Sequence, residues 1–276
     1  KNGSSQMAKR KIARGLKAMT FFHVDQISLR FGGLQALNNV SLKINDIGEI
    51  HGLIGPNGAG KTSLINAITG IYRCQQGRIV FCDKDIMQYT PNKIAALGIG
   101  RTFQNVEIFS DQTVLDNILT SQHMYLKYGL ISEILGSSKS RRIEHQAKNE
   151  AIAILEDLNI EKYSNVIAGD LPFGILKRVE LARAIGTHPK LLLLDEPTSG
   201  MSEIETEETM KLIKSLSKDR KIACLVIEHN MKVVMNISEK ITVLNYGEKI
   251  AEGEPKEIQQ NPVVIDAYLG EEKRDA

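Results

Sequence analysis

The loop GPNGAGKTS at residues 55–63 constrains the fold of this chain more than any other stretch. It matches the pattern G-x-x-x-x-G-K-[ST], follows an apolar strand pattern and opens a helical pattern, as a phosphate-binding loop does. Its glycines let the backbone curl so that N–H groups point inward, and the helix that follows adds the positive end of its dipole. The alternative, an ordinary glycine-rich turn, does not account for the strand and helix on either side.

Two side chains of this loop are suited to a nucleotide. The Lys61 ammonium is placed to reach the β- and γ-phosphates, and the Thr62 hydroxyl to ligate Mg²⁺. The residues that we expect to contact nucleotide here are Gly55, Pro56, Asn57, Gly58, Ala59, Gly60, Lys61, Thr62 and Ser63. The sequence therefore predicts ATP and Mg²⁺ as the bound species.

Two adjacent carboxylates follow the apolar run LLLL at residues 191–194. Asp195 comes directly after a buried strand, where the Mg²⁺ should sit, and Glu196 lies one residue beyond. A metal-side carboxylate followed by a base is suited to holding the metal and deprotonating a water, which favours hydrolysis over transfer to a substrate hydroxyl. Alone, Asp-Glu-Pro is typical of a helix-capping turn, so the catalytic interpretation depends on the phosphate-binding loop.

His229 ends the next apolar strand pattern, in LVIEHNM. Parallel strands end at one edge of their sheet, and ligands collect there. A solitary histidine is more often a satisfied core or surface residue. At the end of the strand next to the carboxylates, however, we predict a contact with the γ-phosphate.

The chain has the composition of a soluble protein with a sizeable core. It has 276 residues, of which 42% are hydrophobic and 25% are charged, enough for one large domain or a domain with a lobe. No apolar run approaches the roughly 18 residues that a membrane span needs. Cys74, Cys82 and Cys224 show no metal-ligand spacing, so we expect reduced thiols that pack as small core residues.

The charge is distributed unevenly. Residues 1–20 contain six bases and no acid, which leaves 29 bases against 33 acids in the rest of the chain. This pattern predicts a flexible basic tail, with contact to anionic lipid as the alternative. The mildly acidic remainder does not indicate a nucleic-acid-binding surface, so we expect no nucleic-acid partner.

The order of strand and helix patterns indicates the fold class. Alternating residues from 21 to 54 predict strands and turns, residues 113–158 read as polar helices, and apolar strands then alternate with helices. We predict an α/β P-loop NTPase core with a mostly parallel sheet, an N-terminal antiparallel β subdomain and a helical lobe. The domain is placed at residues 21–270, its lobe at about 105–185, and a C-terminal tail at 271–276.

The order of these motifs resembles that of the ATP-binding cassette (ABC) ATPases over nearly the whole chain from residue 20. The segments that carry the resemblance are, in order, FGGLQAL, GPNGAGKTS, RTFQN, LPFGI, LLLLDEP and IEHNM. The resemblance implies that Phe31 stacks on adenine and that Gln104 senses the γ-phosphate and Mg²⁺ while touching a membrane partner. Without it, Phe31 reads as an edge-strand aromatic in the core and Gln104 as a solvent-facing polar residue.

Longer segments are similar to the ATP-binding subunits of high-affinity branched-chain amino acid importers. They are RFGGLQALNNVSL, GIGRTFQNVEIF, IEHNMKVVMNIS and EGEPKEIQQNPVVIDAYLG. The resemblance implies an ATP-hydrolysing subunit, peripheral on the cytoplasmic face of the inner or plasma membrane. Its implied partners are integral membrane permease subunits, a second ABC ATPase subunit and, indirectly, a periplasmic or extracellular solute-binding protein. ATPases of urea uptake or lipopolysaccharide export, a non-transport soluble ABC ATPase and a cassette that clamps without turnover remain alternatives.

The segment LPFGI at residues 171–175 departs from the family's usual signature Leu-Ser-Gly-Gly-Gln. Only Leu171 and Gly174 match it, and the resemblance implies that Gly174 and the helix dipole contact a γ-phosphate held by a second cassette. Ser202 stands where the family usually has an acid after the Asp-Glu-Pro turn. With no serine hydroxyl in the signature, we expect the isolated chain to be mostly monomeric and slow.

Two further expectations concern surfaces. The helix after the signature is basic and only loosely amphipathic, so on its own it predicts a surface helix. Several apolar side chains near Gln104 are expected to line an exposed groove for a membrane-subunit helix, the alternative being that all of them fill the lobe's core. They are Phe103, Phe109, Val114 and Leu115.

Overall fold

A computed structural model describes residues 21–104, 106–122 and 138–272, without the side chains of residues 138–140 and 269–272. The predicted basic tail at residues 1–20 lies outside the described residues, and so does part of the predicted helical lobe. Their predicted character stays a prediction.

Ten strands form two sheets within the described residues. They are β1 (Phe22–Phe31), β2 (Leu34–Ile44), β3 (Ile50–Ile54), β4 (Gln76–Phe81), β5 (Lys84–Asp85), β6 (Ile99–Arg101), β7 (Leu191–Asp195), β8 (Ala223–Ile227), β9 (Lys240–Asn245) and β10 (Glu248–Gly253). The first sheet has the order β2-β1-β4-β5 and is antiparallel. The second has the order β10-β9-β3-β8-β7-β6, and all its pairs are parallel except β9 with β10.

Nine α-helices are present in the described part of the chain. They are α1 (Lys61–Ile68), α2 (Pro91–Ala96), α3 (Val114–Gln122), α4 (Ser138–Asp157), α5 (Phe173–Gly186), α6 (Glu203–Asp219), α7 (Met231–Ile237), α8 (Pro255–Gln259) and α9 (Pro262–Glu272). Helices α3, α4 and α5 pack on one another and form the helical lobe. The antiparallel sheet, the mostly parallel sheet and the lobe confirm the predicted fold class.

The central strands of the second sheet explain where the functional loops meet. Every residue of β3, β7 and β8 is buried, as expected of parallel strands covered on both faces. These strands are neighbours in the sheet and run in the same direction. Their carboxyl ends therefore bring the loop at Gly55, the carboxylate Glu196 and the segment at Glu228 to one edge.

The surface-helix interpretation of the lobe is wrong, and the groove prediction holds for only two of its four residues, Phe103 and Phe109. Helix α5 is not a surface helix, because Lys177, Glu180 and most of its apolar residues are buried. Val114 and Leu115 are also buried, at the start of α3, and they pack in the core of the lobe instead of lining a groove. Sequence periodicity failed for α5 because a helix buried on most sides has no single apolar face.

Two simpler predictions concern membranes and thiols. Among the described residues, none of the helices combines the length and the apolar character that crossing a bilayer requires. Cys74, Cys82 and Cys224 are free thiols. Burial raises the pKa of the Cys74 thiol to about 11 and that of the Cys224 thiol to about 12, which fits thiols that pack in the core.

Candidate functional site

The phosphate-binding loop leaves β3 and enters α1 through glycines that no other residue could replace without strain. Gly55 has φ +152°, and a Cβ built on it would lie 2.1 Å from the carbonyl oxygen of Leu244. Gly60 has φ +102°, and its Cβ would lie 2.8 Å from the carbonyl oxygen of Ala36. The loop is thus held in a curled shape by backbone on both sides, as a phosphate cradle requires.

The loop also carries its own positive charge. Lys61, the first residue of α1, is buried, and its Nζ donates to the carbonyl oxygens of Gly55 at 2.5 Å and Pro56 at 2.9 Å. The ammonium therefore lies inside the curl, at the positive end of the helix dipole. Asn57, Gly58 and Thr62 are exposed along the rim of the loop, whereas Pro56 and Ala59 are buried beneath it.

The buried carboxylate at the end of β7 is held by an arginine from the neighbouring strand. Arg101 Nη2 lies 3.1 Å from Asp195 Oδ2, and its Nη1 donates to Asn66 Oδ1 of α1 at 2.7 Å. Burial raises the pKa of the Asp195 carboxyl, while Arg101 works in the opposite direction. Arg101 thereby fixes the predicted metal-side carboxylate relative to the helix that carries Lys61 and Thr62.

The three predicted catalytic side chains come together. His229 Nε2 lies 2.6 Å from Glu196 Oε1, and Gln104 Nε2 donates to Glu196 Oε2 at 3.3 Å. Glu196 is the centre of this cluster and its side chain is 14% exposed, whereas that of His229 is 45% exposed. Both oxygens of the Glu196 carboxylate therefore have a hydrogen-bonding partner, and one partner, His229, is partly exposed to solvent. A carboxylate held in place next to solvent is suited to accept a proton from water.

The backbone at Glu196 is unusual. Its φ is +50°, a left-handed conformation that is uncommon for residues other than glycine and asparagine and that clusters at functional sites. The Glu196 N–H donates to the carbonyl oxygen of Ile227 at 3.0 Å, which ties the turn to the end of β8. The turn is fixed further by Thr198, whose N–H and Oγ1 both donate to Glu228 Oε1, at 2.9 and 2.6 Å.

Phe31 ends β1 with 43% of its surface exposed. Its ring meets Tyr72 edge-on, with the centroids 4.9 Å apart and the planes at 76°. It is therefore not a core aromatic, and one side of the ring is held while the rest remains accessible. This geometry suits a platform for a stacked base.

The signature segment starts helix α5 and packs on its own chain. Pro172 is the N-cap residue, and its carbonyl accepts from the N–H groups of Ile175 and Leu176, each at 3.0 Å. Phe173 lies against Gly200, where a Cβ would be 2.9 Å from Phe173 Cε1. A Cβ on Gly174 would be 2.7 Å from Glu205 Oε1, the end of a flexible side chain.

Ser202 does not take the place of the acid that the family usually has there. It is the N-cap of α6, where its hydroxyl accepts from the Glu205 N–H and the Glu205 side chain accepts from the Ser202 N–H. This reciprocal capping box satisfies two backbone donors of the helix start. Ser202 therefore has a local structural role in this chain.

A groove of about 550 Å³ lies between the sheet edge and the lobe, next to Gln104. Its described lining residues are Arg101, Phe103, Val106, Glu107, Ile108, Phe109, Ser121, Glu180, Arg183, Ala184 and Thr187. Phe103 and Phe109 are 39% and 41% exposed, and each lies under an arginine, Arg101 and Arg183 respectively, at 4.8 Å from guanidinium carbon to ring centroid. Two of the four apolar residues predicted for this groove thus line it.

Several residues of the site were missed from the sequence. Arg101 pairs with Asp195, and Glu228 holds the turn after Glu196. Lys177 donates to the Gln104 carbonyl oxygen, and Glu180 accepts from the Phe103 N–H. Their contacts at the site are with residues distant in the chain, and the i,i+3 spacing of Lys177 and Glu180 does not show that the pair is buried. The one signal available was position, because Glu228 directly precedes His229 at a strand end.

Two family descriptions match the sequence. The description "ABC transporter" matches residues 37–199, which include the phosphate-binding loop, the signature segment and the paired carboxylates. The description "Branched-chain amino acid ATP-binding cassette transporter" matches residues 248–274, which include β10, α8 and α9.

Known proteins are similar over most of the chain. The "High-affinity branched-chain amino acid transport ATP-binding protein LivG" of Salmonella typhimurium is 43% identical over 90% of this chain and 97% of its own length. BraF of Pseudomonas aeruginosa, whose name describes the same role, is 41% identical over the same shares. The crystal structure of an ATP-binding cassette of an ABC transporter in its ADP conformation matches with a TM-score of 0.79 and 32% identity, covering 91% of this chain and 99% of that one.

Proposed function

The chain belongs to the ATP-binding cassette transporter family, and we propose that it is the ATP-hydrolysing subunit of an importer for branched-chain amino acids. The observation that carries the chemistry is the cluster of Glu196, His229 and Gln104 at the sheet edge where the phosphate-binding loop begins. The solute assignment rests on the similarity to LivG and BraF and on the matched C-terminal segment.

In the proposed reaction, the residues of the loop hold ATP and those of the sheet edge hold the attacking water. The Lys61 ammonium and the inward N–H groups of residues 55–63 offset the charge of the β- and γ-phosphates. Glu196 accepts a proton from the water, and the water oxygen bonds to the γ-phosphorus. The bond between the γ-phosphorus and the β–γ bridging oxygen breaks, and ADP leaves. His229 holds one oxygen of Glu196 and offers a contact to the γ-phosphate, while Gln104 holds the other.

The donors near the loop fit Mg²⁺. Thr62 offers a hydroxyl, Asp195 a carboxylate and Gln104 an amide oxygen, the hard oxygen ligands that this ion takes beside substrate phosphates. In the described residues, no group of three or more His, Cys, Asp and Glu side chains forms a metal cluster of its own. Thr62, Asp195 and Gln104 would hold the ion, which would supply positive charge to offset that of the phosphates. Arg101 fixes the position of the Asp195 carboxylate through their ion pair.

The groove at Gln104 supplies a place for a membrane subunit. Its two exposed phenylalanines, Phe103 and Phe109, present apolar rings beside a polar rim, as grooves that accept an amphipathic helix do. We infer that a helix of an integral membrane permease docks here, on the cytoplasmic face of the membrane, and that a solute-binding protein acts from the other side. A second cassette, identical or different, closes the nucleotide site with its signature helix.

Phe31 and Gly174 complete the proposed nucleotide contacts. The exposed face of Phe31 suits stacking on adenine. Gly174 leaves the start of α5 open for the γ-phosphate of the partner cassette's ATP, because only a flexible carboxylate lies against it. The segment's missing hydroxyl makes this contact weaker than one from the usual signature.

Reconstituted transport tests the proposal. We expect proteoliposomes that contain this chain, its permease subunits and its partner cassette to take up labelled leucine in the presence of ATP and the solute-binding protein. Glu196→Gln should abolish uptake while nucleotide binding stays within about twofold, because the amide keeps the shape but cannot accept the proton of the water.

Two controls separate the components of the proposal. Labelled urea in the same vesicles tests the related amide importers, and uptake of urea without leucine would reassign the solute. Glu203→Gln, which changes an exposed acid at the start of α6, should leave uptake unchanged. ATP hydrolysis by Glu196→Gln at the wild-type rate would show that Glu196 is not the base.

A further inference from the structure

A buried ion pair in the second turn of α5 has no part in the reaction described above. Lys177 Nζ and Glu180 Oε2 are 3.8 Å apart, and the side chains are 2% and 6% exposed. A buried pair of this kind is often no more stabilising than apolar residues of the same volume. Its other contacts therefore indicate what the pair does in this chain.

Both members of the pair hold the backbone of the loop that carries Gln104. Lys177 Nζ donates to the carbonyl oxygen of Gln104 at 3.0 Å, and the N–H of Phe103 donates to Glu180 Oε1 at 2.8 Å. The two hydrogen bonds hold the consecutive residues Phe103 and Gln104. They therefore fix the backbone from which the Gln104 side chain reaches Glu196. Charged partners make both bonds stronger than neutral ones.

The first two turns of α5 also contact the loop that follows Glu196. The Phe173 ring lies on Gly200, four residues after Glu196, and the Lys177 Nζ lies 5.9 Å from the centroid of that ring. Any Cβ at position 200 would collide with Phe173, so the helix and this loop are in direct contact. One end of α5 thus contacts both loops that carry the candidate catalytic residues.

The pair also borders the groove. Phe103 and Glu180 both line it, so the hydrogen bond between the Phe103 N–H and the Glu180 carboxylate lies in the groove wall. Glu180 and Gly174 belong to the same helix, α5.

We propose that Lys177 and Glu180 are positioning residues that hold the backbone of Phe103 and Gln104, so that the Gln104 side chain stays within reach of Glu196. The proposal rests on the proposed function, because it assigns the two residues to the same hydrolytic site and the same groove. It makes neither of them a catalytic residue, since both act through Gln104 and Phe103.

Fluorescence of a single tryptophan tests the positioning without any turnover. The chain has no tryptophan, so Phe103→Trp places the sole indole on the loop that the pair holds. In the full chain without nucleotide, Lys177→Met should raise the acrylamide quenching constant of Trp at position 103 about twofold. Glu208→Gln is the matched control. The Glu208 side chain, on α6, is 58% exposed and accepts from Arg178, which lies on α5 next to Lys177. Glu208 does not contact Gln104 in the described structure.

Kinetics in the assembled transporter give the second measurement. Lys177→Met should lower kcat roughly 10- to 100-fold, the effect expected from misplacing a catalytic group by about 1 Å, and leave the KM for ATP within about twofold. Lys177→Arg, which keeps a cationic donor, should recover most of kcat. The Glu208→Gln control should retain wild-type values.

The outcomes are separable from those of the proposed function. A wild-type assembly without ATPase activity would contradict the proposed function, while the quenching experiment would still decide the positioning. An active wild type with unchanged quenching and kcat in Lys177→Met would overturn the present inference alone. If Lys177→Met fails to fold, the double variant Lys177→Met, Glu180→Gln leaves no unpaired buried charge, and the same expectations and the same contrary result apply to it.

Discussion

Two helices of this protein begin where the proposed function places phosphate, and they begin in different ways. Helix α1 starts at Lys61 after a loop whose glycines Gly55 and Gly60 have φ values of +152° and +102°. Helix α5 starts at Phe173 after Pro172, which is extended at φ −57° and ψ 149°. The backbone therefore curls before the start of α1, whereas it is extended before the start of α5.

The difference extends to charge and packing. The start of α1 holds a buried ammonium, and its loop is pressed between backbone carbonyls of Ala36 and Leu244. The start of α5 offers backbone N–H groups without a cation in its first turn, and side chains of its own chain lie against it. Helix α1 thus has the features of an anion site within one chain, namely a curled loop, a buried ammonium and a helix start, whereas α5 has only the helix start; in the proposed function α5 adds to a site held by the partner cassette.

The largest test of this contrast removes the charge from the first helix start. Lys61→Ala should lower ATP turnover of the assembled transporter at least about 100-fold, since removing one group that stabilises transition-state charge typically costs this much. The measurement is phosphate release at saturating ATP. Arg178→Ala at the other helix removes a charge that pairs with Glu208 on α6, and it should cost less than about threefold. Similar losses in both variants would contradict the asymmetry.

The second test restores polar groups to the weaker helix start. Pro172→Ser together with Phe173→Gly should strengthen ATP-dependent association of two Glu196→Gln cassettes roughly 10- to 100-fold for each nucleotide site, because a hydrogen bond to a charged group is worth about 1.5–3 kcal/mol. Analytical ultracentrifugation with ATP and Mg²⁺ measures the association.

The structure shows that this double variant changes two things at once, so the single variants are needed. Phe173→Gly also removes the ring from Gly200, whereas Pro172 is exposed and Pro172→Ser adds a hydroxyl and a backbone N–H without removing that ring. Pro172→Ser alone should therefore give most of the gain. A tight wild-type homodimer that neither variant improves would show that the missing hydroxyl is immaterial.

The smallest expected effect compares one glycine from each helix start. Gly60→Ala should lower the free energy of unfolding by roughly 2 kcal/mol, because alanine at φ +102° is strained and its Cβ would meet a backbone oxygen at 2.8 Å. Gly174→Ala should change it by less than about 1 kcal/mol, because the site is helical and only the Oε1 side of the Glu205 carboxylate, whose Oε2 accepts from Ser202, has to shift. Urea denaturation measures both.

Gly58→Ala serves as the matched control for the strained backbone. Gly58 has φ +74° with nothing within 4 Å of its Cβ position, so this variant reports the conformational cost without the collision. Its loss should lie between those of the other two. Equal losses at Gly60 and Gly174 would mean that the two helix starts are equally constrained.

Much of the fold was predictable because its signals are local. The loop at residues 55–63 carries its pattern within nine residues, and the apolar strand before Asp195 is a continuous run. A buried parallel strand needs apolar residues on both faces, so its pattern does not depend on which helix covers it. The predicted catalytic residues follow such strands, or, for Gln104, one short strand that pairs with β7.

The errors arose where burial depends on partners distant in the sequence. Val114 and Leu115 are apolar residues near Gln104, and only the packing of α3 on α5 puts them inside the lobe. Lys177 has the sequence character of a surface base, but Glu180 and the Gln104 carbonyl pair with it in the interior. Helical periodicity cannot reveal that this i,i+3 pair is buried, because the backbone groups of Gln104 and Phe103 that it contacts come from another element.

The sequence by itself determined the phosphate-binding loop, the order of the strands along the chain and the residue types at the strand ends, because each follows from neighbouring residues. Only the tertiary structure decided that Glu196 meets both His229 and Gln104, that Arg101 holds Asp195, and that α5 touches both catalytic loops. The physical reason is distance. A side-chain contact between loops requires a defined register and crossing of strands and helices, which the packing of the whole core fixes and no local pattern encodes.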